Sequence, residues 1–141
     1  HGGVTCWEGG LRVAAMARWP TQITPGSVIA QPIWSPDLLP ACTKIAGANL
    51  PSQVDFDGKD PLPTLCRNSP SPHASMFFEY RSHAALRKGN WKIVREKQNR
   101  PWELFDLATD PSETHNLADS HAAIVTELAE EFSRWQKSFQ Y

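Results

Sequence analysis

Three cysteines are the residues of this chain that could bind a metal or exchange electrons. Cys6, Cys42 and Cys66 stand far apart, and no Cys-x-x-Cys pair occurs among the 141 residues. This spacing predicts neither a structural zinc site nor a redox dithiol. Two alternatives stay open from the residues: one disulfide with one free thiol, or three reduced thiols.

Three aspartates near Gly58 supply the type of ligand that calcium prefers. Asp55, Asp57 and Asp60 bring carboxylate oxygens to both sides of this glycine. The glycine comes too early for an EF-hand loop, however, and the closing glutamate is missing. We therefore favour a plain turn that is capped by side-chain carboxylates.

The segment around Glu8 combines charge with a flexible backbone. Glu8 is followed by Gly9 and Gly10, and Arg12 comes shortly after them. Glu8 and Arg12 could pair beside a pocket, although we favour the interpretation that they fix a loop entering a strand. The apolar residues of 11–19 predict that short buried strand, with a helical turn as the alternative.

Hydrophobic patterns predict the elements that would position these groups. A helix is expected over 35–47, ended by Gly47, and a connection rich in proline covers 48–73. Four strands with short loops follow, which favours an antiparallel meander. They are predicted over residues 76–80, 84–87, 91–95 and 102–107. Apolar residues at steps of four, four and three place a helix near 120–139. His73 is interpreted as a surface residue.

Composition excludes several classes of partner. With 14 Lys and Arg against 15 Asp and Glu, the formal net charge is −1, so no general attraction to nucleic acid or to an anionic membrane is expected. No apolar run reaches the roughly 18 residues that a membrane span needs. No signal peptide is visible either. The compartment stays unknown from the sequence.

A series of short motifs runs along the chain. In order they are Glu8-Gly9-Gly10-x-Arg12-Val13, Arg18-Trp19-Pro20, Pro25-Gly26-x-Val28, Asp37-Leu38-Leu39-Pro40, Ala46-Gly47, Asp57-Gly58, Phe77-Phe78-Glu79-Tyr80, Leu86-Arg87-x-Gly89-x-Trp91-Lys92-Ile93-Val94, Glu103-Leu104-Phe105-Asp106-Leu107, Asp110-Pro111-x-Glu113 and Asn116-Leu117-Ala118. Each motif is weak by itself, but eleven in register are hard to produce by chance. The series closely resembles the C-terminal third of the arylsulfatase-type sulfatases, within the alkaline-phosphatase superfamily.

This resemblance implies an α+β fold, in which a short antiparallel four-stranded sheet is packed by a C-terminal helix. A remnant strand and helix of a larger α/β domain would precede the sheet. Residues 1–47 would be the end of that large domain, 48–74 a Pro/Asp-rich connection and 75–141 the C-terminal sulfatase subdomain. The meander and the final helix, predicted from residue patterns alone, agree with this layout.

Sulfatases of this kind hydrolyse sulfate esters with groups that this chain lacks. The resemblance implies a formylglycine, made within a Cys-x-Pro-x-Arg type motif, and a calcium ion held by Asp and Asn side chains. None of the three cysteines is followed two residues later by proline, and Gly3 stands where a sulfate-contacting lysine is frequent. We therefore expect no catalytic residue, metal site or cofactor in this chain. Calcium and formylglycine are expected in the full-length family.

The same resemblance supplies four candidates for the rim of a substrate site. Arg81 and His83 lie between two predicted strands of the small subdomain, which in the family lends side chains to the substrate rim. They could therefore contact a sulfate or a sugar; an exposed hairpin loop is an equally good interpretation. Thr5 and Glu8 lie on the segment that borders the pocket in the family. A hydroxyl at Thr5 is just as easily a turn residue.

Two functions compete for this chain. It is either a C-terminal fragment of an arylsulfatase, which contributes substrate rim and stability and is inactive alone, or a non-enzymatic module that self-associates or binds a partner. A sulfate ester substrate is expected only for the full-length parent, whose relatives are often periplasmic or secreted. The apolar side chains of 11–47 would lack a cover in the isolated chain, so a homo-oligomer is predicted.

Overall fold

The computed structural model describes residues 5–139. Its α-helices are α1 (Glu8–Leu11), α2 (Leu38–Ile45), α3 (Leu62–Arg67) and α4 (Ala122–Lys137), and a 3-10 turn, Ser35–Asp37, precedes α2. Its strands are β1 (Ser75–Tyr80), β2 (His83–Lys88), β3 (Trp91–Arg95) and β4 (Glu103–Asp106). These elements form two compact units: Ala15–Ala74, and a sheet unit made of the other described residues. In residues 5–139, no helix combines the length and the apolar character needed to cross a bilayer.

The sheet of the sheet unit is an antiparallel meander in the order β1-β2-β3-β4. Phe78 pairs with Ala85, Ala85 with Val94, and Val94 with Glu103, so one row of side chains runs across all four strands. Gly89, at φ +60, makes the tight turn between β2 and β3, a conformation that glycine adopts without strain. The predicted α+β fold class, with its four-stranded sheet and final helix, is confirmed.

Helix α4 covers one face of this sheet with the apolar stripe that the sequence predicts. Leu128 and Phe132 of α4 are fully buried against Leu86 of β2, Ile93 of β3 and Leu104 of β4. Burial of such side chains is the main favourable contribution to folding. Four charged residues of α4 are exposed, namely Glu127, Glu130, Arg134 and Lys137, whereas the half-buried Glu131 pairs with Lys88 of β2.

The opposite face of the sheet is covered by the segment that contains α1. Cys6 and Trp7 are buried there against Ala85, Val94 and Phe105. The sheet is therefore a middle layer between a long helix and a short N-terminal segment, although that segment is far from the strands in sequence. Each face buries alternate residues of the strands, as the pleat requires.

The Ala15–Ala74 unit is organised around a buried carboxylate. Asp37 accepts the backbone amides of Trp34 at 3.2 Å and Lys59 at 2.8 Å, and its Oδ1 lies 2.7 Å from Nε2 of His73. The His73 side chain is only 3% exposed, so the prediction of a surface histidine is wrong. Position 58 requires glycine, because a Cβ there would stand 2.1 Å from the Pro36 carbonyl oxygen.

Two further predictions for this part of the chain are corrected by the structure. Residues 12–19 form no strand, and Val13 and Met16 are 77% and 100% exposed. A strand needs a neighbouring strand to pair its backbone groups, and the four strands of residues 5–139 pair with one another instead. Helix α3 lies within the expected connection, where Asn68 ends it at φ +53. The helix predicted from Ser35 is present as the 3-10 turn followed by α2.

Candidate functional site

The Glu-Gly-Gly segment folds into one helical turn that is attached to the sheet. The carbonyl of Trp7 accepts the amide of Gly10 at 2.8 Å, and the carbonyl of Glu8 accepts the amide of Arg12 at 2.7 Å. The Trp7 ring packs edge-on against Phe105, with ring centroids 5.6 Å apart. The residue that precedes the motif therefore anchors the turn in the core of the sheet unit.

A buried lysine joins Glu8 to a second carboxylate. Lys92, on the inner strand β3, is 0% exposed. Its Nζ donates to Oε1 of Glu8 at 2.8 Å and lies 2.7 Å from Oε1 of Glu113. The other carboxylate oxygen of Glu113 accepts the backbone amide of Glu8 at 2.6 Å. Two carboxylates thus share one ammonium group that water does not reach, and we call these three residues the lysine cluster.

Neighbouring charges complete the electrostatics of the lysine cluster. The Arg87 guanidinium lies 4.0 Å from Oε2 of Glu8, so two cations stand beside the two carboxylates. Such pairing offsets the cost of removing the charges from water. Burial, with the negative charges of Glu96 and Glu113, raises the pKa of the nearby Glu103 carboxyl. The charged groups of the lysine cluster pair with one another. This pairing fixes the turn that contains Glu8 on the sheet.

Arg81 and His83 lie at the turn between β1 and β2, as the sequence predicts. Arg81 is exposed, with φ +55, and its guanidinium lies 5.3 Å from the centroid of the Tyr80 ring. His83 begins β2, and its buried Nδ1 has no hydrogen-bond partner among residues 5–139. The Ser82 hydroxyl donates to the carbonyl of Glu96 at 3.0 Å. This hairpin end therefore combines an exposed cation with a half-buried imidazole.

Thr5 precedes a residue that contacts the β1–β2 hairpin. The adjacent Cys6 thiol contacts the backbone of Tyr80, which pairs with His83 across the hairpin. Burial raises the pKa of the Cys6 thiol, an effect that exceeds the opposing influence of Lys92. The Thr5 hydroxyl is buried and finds no hydrogen-bond partner within the described part of the chain. The contact of Cys6 with Tyr80 thus attaches the residue after Thr5 to this hairpin.

Glu8 is held elsewhere on the same face. Its partner Arg87 stands four residues along β2 from His83, which corresponds to about 13 Å of strand. The Glu8 side chain is only 11% exposed and is bound by Lys92. Of the four predicted rim residues, Arg81 and His83 lie at the hairpin end, Thr5 precedes the buried Cys6, and Glu8 belongs to the lysine cluster. Gly3, the position compared with a sulfate-contacting lysine, lies outside the described residues.

Lys92 and Glu113 are not among the candidates predicted from the sequence. The alternation of β3 places Lys92 on the same face as Val94, and this face proves to be the one beneath Trp7. A lysine on the same strand face as an apolar valine is the sequence signal that indicates a buried lysine at this position. Its two acidic partners were not predictable, because one stands 84 residues away in the chain.

The side chains that could bind a metal ion stand apart in the described residues. Within residues 5–139, no group of three or more His, Cys, Asp or Glu side chains is arranged to hold an ion. Asp60 instead accepts the amide of Leu62 at 3.0 Å and pairs with Lys44 at 2.6 Å. All three cysteines are free, without a disulfide. We assign no catalytic step through calcium or formylglycine to these residues.

Comparison with known proteins connects this arrangement to an enzyme family. Residues 5–138 match the family model described as N-sulphoglucosamine sulphohydrolase, C-terminal. Arylsulfatase A of Bos taurus is 36% identical over 154 aligned positions, which cover 90% of this chain and 29% of that protein. Arylsulfatase A of Homo sapiens is 33% identical over 159 positions, covering 94% and 31%. The chain thus spans less than a third of the length of these curated relatives.

Solved structures share the fold as well. The crystal structure of Ps i-CgsB superposes with a TM-score of 0.75 at 28% identity, covering 86% of this chain and 28% of that one. The phosphonate monoester hydrolase of Silicibacter pomeroyi gives a TM-score of 0.65 at 25% identity, covering 87% and 28%. By sequence and by fold, the chain belongs to the N-sulphoglucosamine sulphohydrolase C-terminal family and is a C-terminal portion of a sulfatase.

Proposed function

We propose that this chain contributes the substrate rim and a stabilising subdomain to an arylsulfatase-like sulfuric ester hydrolase, and that it is inactive alone. The supporting observation is the attachment of the Glu-Gly-Gly turn to the sheet unit, through Trp7 on one side and the lysine cluster on the other. The segment that carries the family motif and the C-terminal sheet fold as one unit. The chain therefore acts by presenting this turn in a fixed position.

The chemistry of sulfate ester hydrolysis supports the proposed inactivity of the isolated chain. The reaction requires an activated nucleophile and cationic groups that stabilise the developing negative charge. In the described residues, the buried cation Lys92 is already bound by two carboxylates. In this proposal, the formylglycine and the calcium ion come from outside these 141 residues.

The hairpin end is the part of the chain that we propose for contact with the substrate. The exposed guanidinium of Arg81 is suited to a sulfate group, because guanidinium geometry matches that of oxyanions. His83 stands two residues further along the hairpin, and both His83 and Thr5 have a buried polar atom that no described residue binds. Glu8 contributes to the rim by fixing the turn that precedes Arg12, since its carboxylate is engaged by Lys92.

The proposed function is tested with the purified chain and with a hybrid enzyme. We expect the purified chain to show no turnover of an aryl sulfate in the presence of calcium. In the hybrid, this chain replaces the matched segment of Bos taurus arylsulfatase A, and we expect turnover to be retained. Turnover by the purified chain would contradict the proposed inactivity. A folded hybrid without turnover, beside an active parent enzyme, would contradict the proposed contribution.

A second candidate function is self-association, which the exposed apolar side chains favour. Val13, Met16, Val28 and Leu38 are 77%, 100%, 91% and 62% exposed. Exposed apolar surface of this kind promotes association between copies. We expect the isolated chain to form a homo-oligomer in light scattering, with a mass that falls when Met16 and Val28 are both changed to serine. A strict monomer at high concentration would contradict this candidate.

A further inference from the structure

We propose that Lys92 and Glu113 are positioning residues that hold the Glu-Gly-Gly turn in one orientation toward the sulfate ester. This inference rests on the proposed function, because it assigns a role within the same reaction. Both residues lie outside the Glu-Gly-Gly motif. Neither residue touches the reacting atoms; both act through Glu8.

Glu113 holds the backbone of the turn at its first residue. The first amides of a helix have no partner within the helix and need one from elsewhere. Oε2 of Glu113 accepts the Glu8 amide at 2.6 Å, across a separation of 105 residues. Glu113 itself has φ +56, which is uncommon for a residue other than glycine. In this backbone conformation, the Glu113 carboxylate lies at the start of α1.

Lys92 fixes the two carboxylates relative to each other. Its ammonium group lies between Glu8 and Glu113 at 2.8 and 2.7 Å, on a side chain that is fully buried in the sheet. Because β3 is an inner strand, the position of Lys92 is set by strands on both sides. The orientation of the turn is thus fixed relative to an inner strand of the sheet.

The side of the turn that faces away from the sheet is accessible. Glu8 is buried against the sheet, whereas Gly9 is exposed and Gly10 is half-buried. The turn therefore has a held side and an open side. Displacement of a turn beside a reacting centre by about 1 Å can lower a rate about a hundredfold. Replacement of a residue that prevents such displacement therefore lowers kcat, although the residue does not contact the substrate.

The test uses Glu113→Ala, Glu113→Gln and a matched control in the hybrid enzyme. We expect Glu113→Ala to lower kcat at least about tenfold, with a much smaller change in KM, at temperatures where circular dichroism shows a folded protein. Glu113→Gln should recover part of the loss, because its amide oxygen can still accept the Glu8 amide. The control is Glu131→Ala, which removes an ion pair with Lys88 on the other face of the sheet. Equal losses for Glu113→Ala and Glu131→Ala would overturn the proposal.

A second measurement, on the isolated chain, separates this proposal from the proposed function. Trypsin can cleave after Arg12, at the end of the turn, and after Arg18, in the exposed segment beyond it. We expect Glu113→Ala to speed cleavage at Arg12 at least several-fold relative to Arg18. An unchanged ratio would overturn the positioning role. If the hybrid with the unaltered chain is inactive, the proposed function fails, and this ratio decides the positioning role by itself.

Discussion

Replacement of Lys92 by methionine is expected to lower the free energy of unfolding by about 3–5 kcal/mol. The change removes the only cation that lies between Glu8 and Glu113 in the described structure, and it leaves two carboxylates facing each other in a buried site. Methionine has a similar length and no charge, so the loss reports the charge more than the volume. Urea unfolding followed by circular dichroism measures it.

Two controls sharpen this result. Lys97→Met changes the same residue type at an exposed position and should alter stability by no more than about 0.5 kcal/mol. Adding Glu8→Gln and Glu113→Gln to Lys92→Met removes the uncompensated charges and should restore part of the stability. A Lys92→Met protein with an unchanged unfolding midpoint would show that the lysine cluster does not hold the sheet unit together.

Replacement of Phe132 by alanine is also expected to lower the free energy of unfolding by about 3–5 kcal/mol, because it leaves a cavity in the core. Phe132 is 1% exposed and lies at the centre of an aromatic group. Its ring centroid is 5.2 Å from that of Trp102, 5.3 Å from that of Trp135 and 6.4 Å from that of Phe77. Truncation to alanine leaves a cavity that these large rings cannot close without moving.

The matched control for this change is Phe139→Ala. Phe139 also contacts Trp135, with ring centroids 5.1 Å apart, but it is 55% exposed. We expect this substitution to cost less than about 1 kcal/mol, because the site stays open to water. Thermal unfolding by circular dichroism compares the two variants. Similar losses at both positions would mean that α4 is not anchored through Phe132.

The sheet and α4 were predictable from the sequence because their patterns are local. The alternation in residues 91–95 predicted β3 with the bounds Trp91–Arg95, and Gly89 marked the turn before it. Ile124, Leu128 and Phe132 repeat at helical steps, and Leu128 and Phe132 are the buried residues of α4. Each of these features depends on residues within a few positions of one another.

The features that were not predictable depend on distant partners or on very short elements. His73 was expected on the surface, but its burial depends on Asp37, 36 residues earlier. Lys92 is buried because of carboxylates that no local pattern connects to it. Helix α3 has six residues, too few to show a helical period. The strand expected over 11–19 was predicted from apolar composition, and such composition does not supply a pairing partner.

The candidate site was predictable only in part for the same reason. The motif series identified the family and located Arg81 and His83 at a hairpin end, because motifs and turns are continuous in sequence. Their contact with a substrate stays a prediction. The attachment of the Glu8 turn to β3 and to Glu113 is a tertiary arrangement, and no local sequence pattern specifies it.

The central claim is that the Glu-Gly-Gly turn and the sheet form one rigid unit, and native-state hydrogen exchange of the chain tests it most directly. The amide of Glu8 is bonded to Glu113, and that of Arg12 to the Glu8 carbonyl. We predict that both amides exchange with opening free energies close to that of Ile93 on the inner strand β3. Exchange of Glu8 and Arg12 at the rate of an unstructured peptide, while the sheet amides stay protected, would contradict the account.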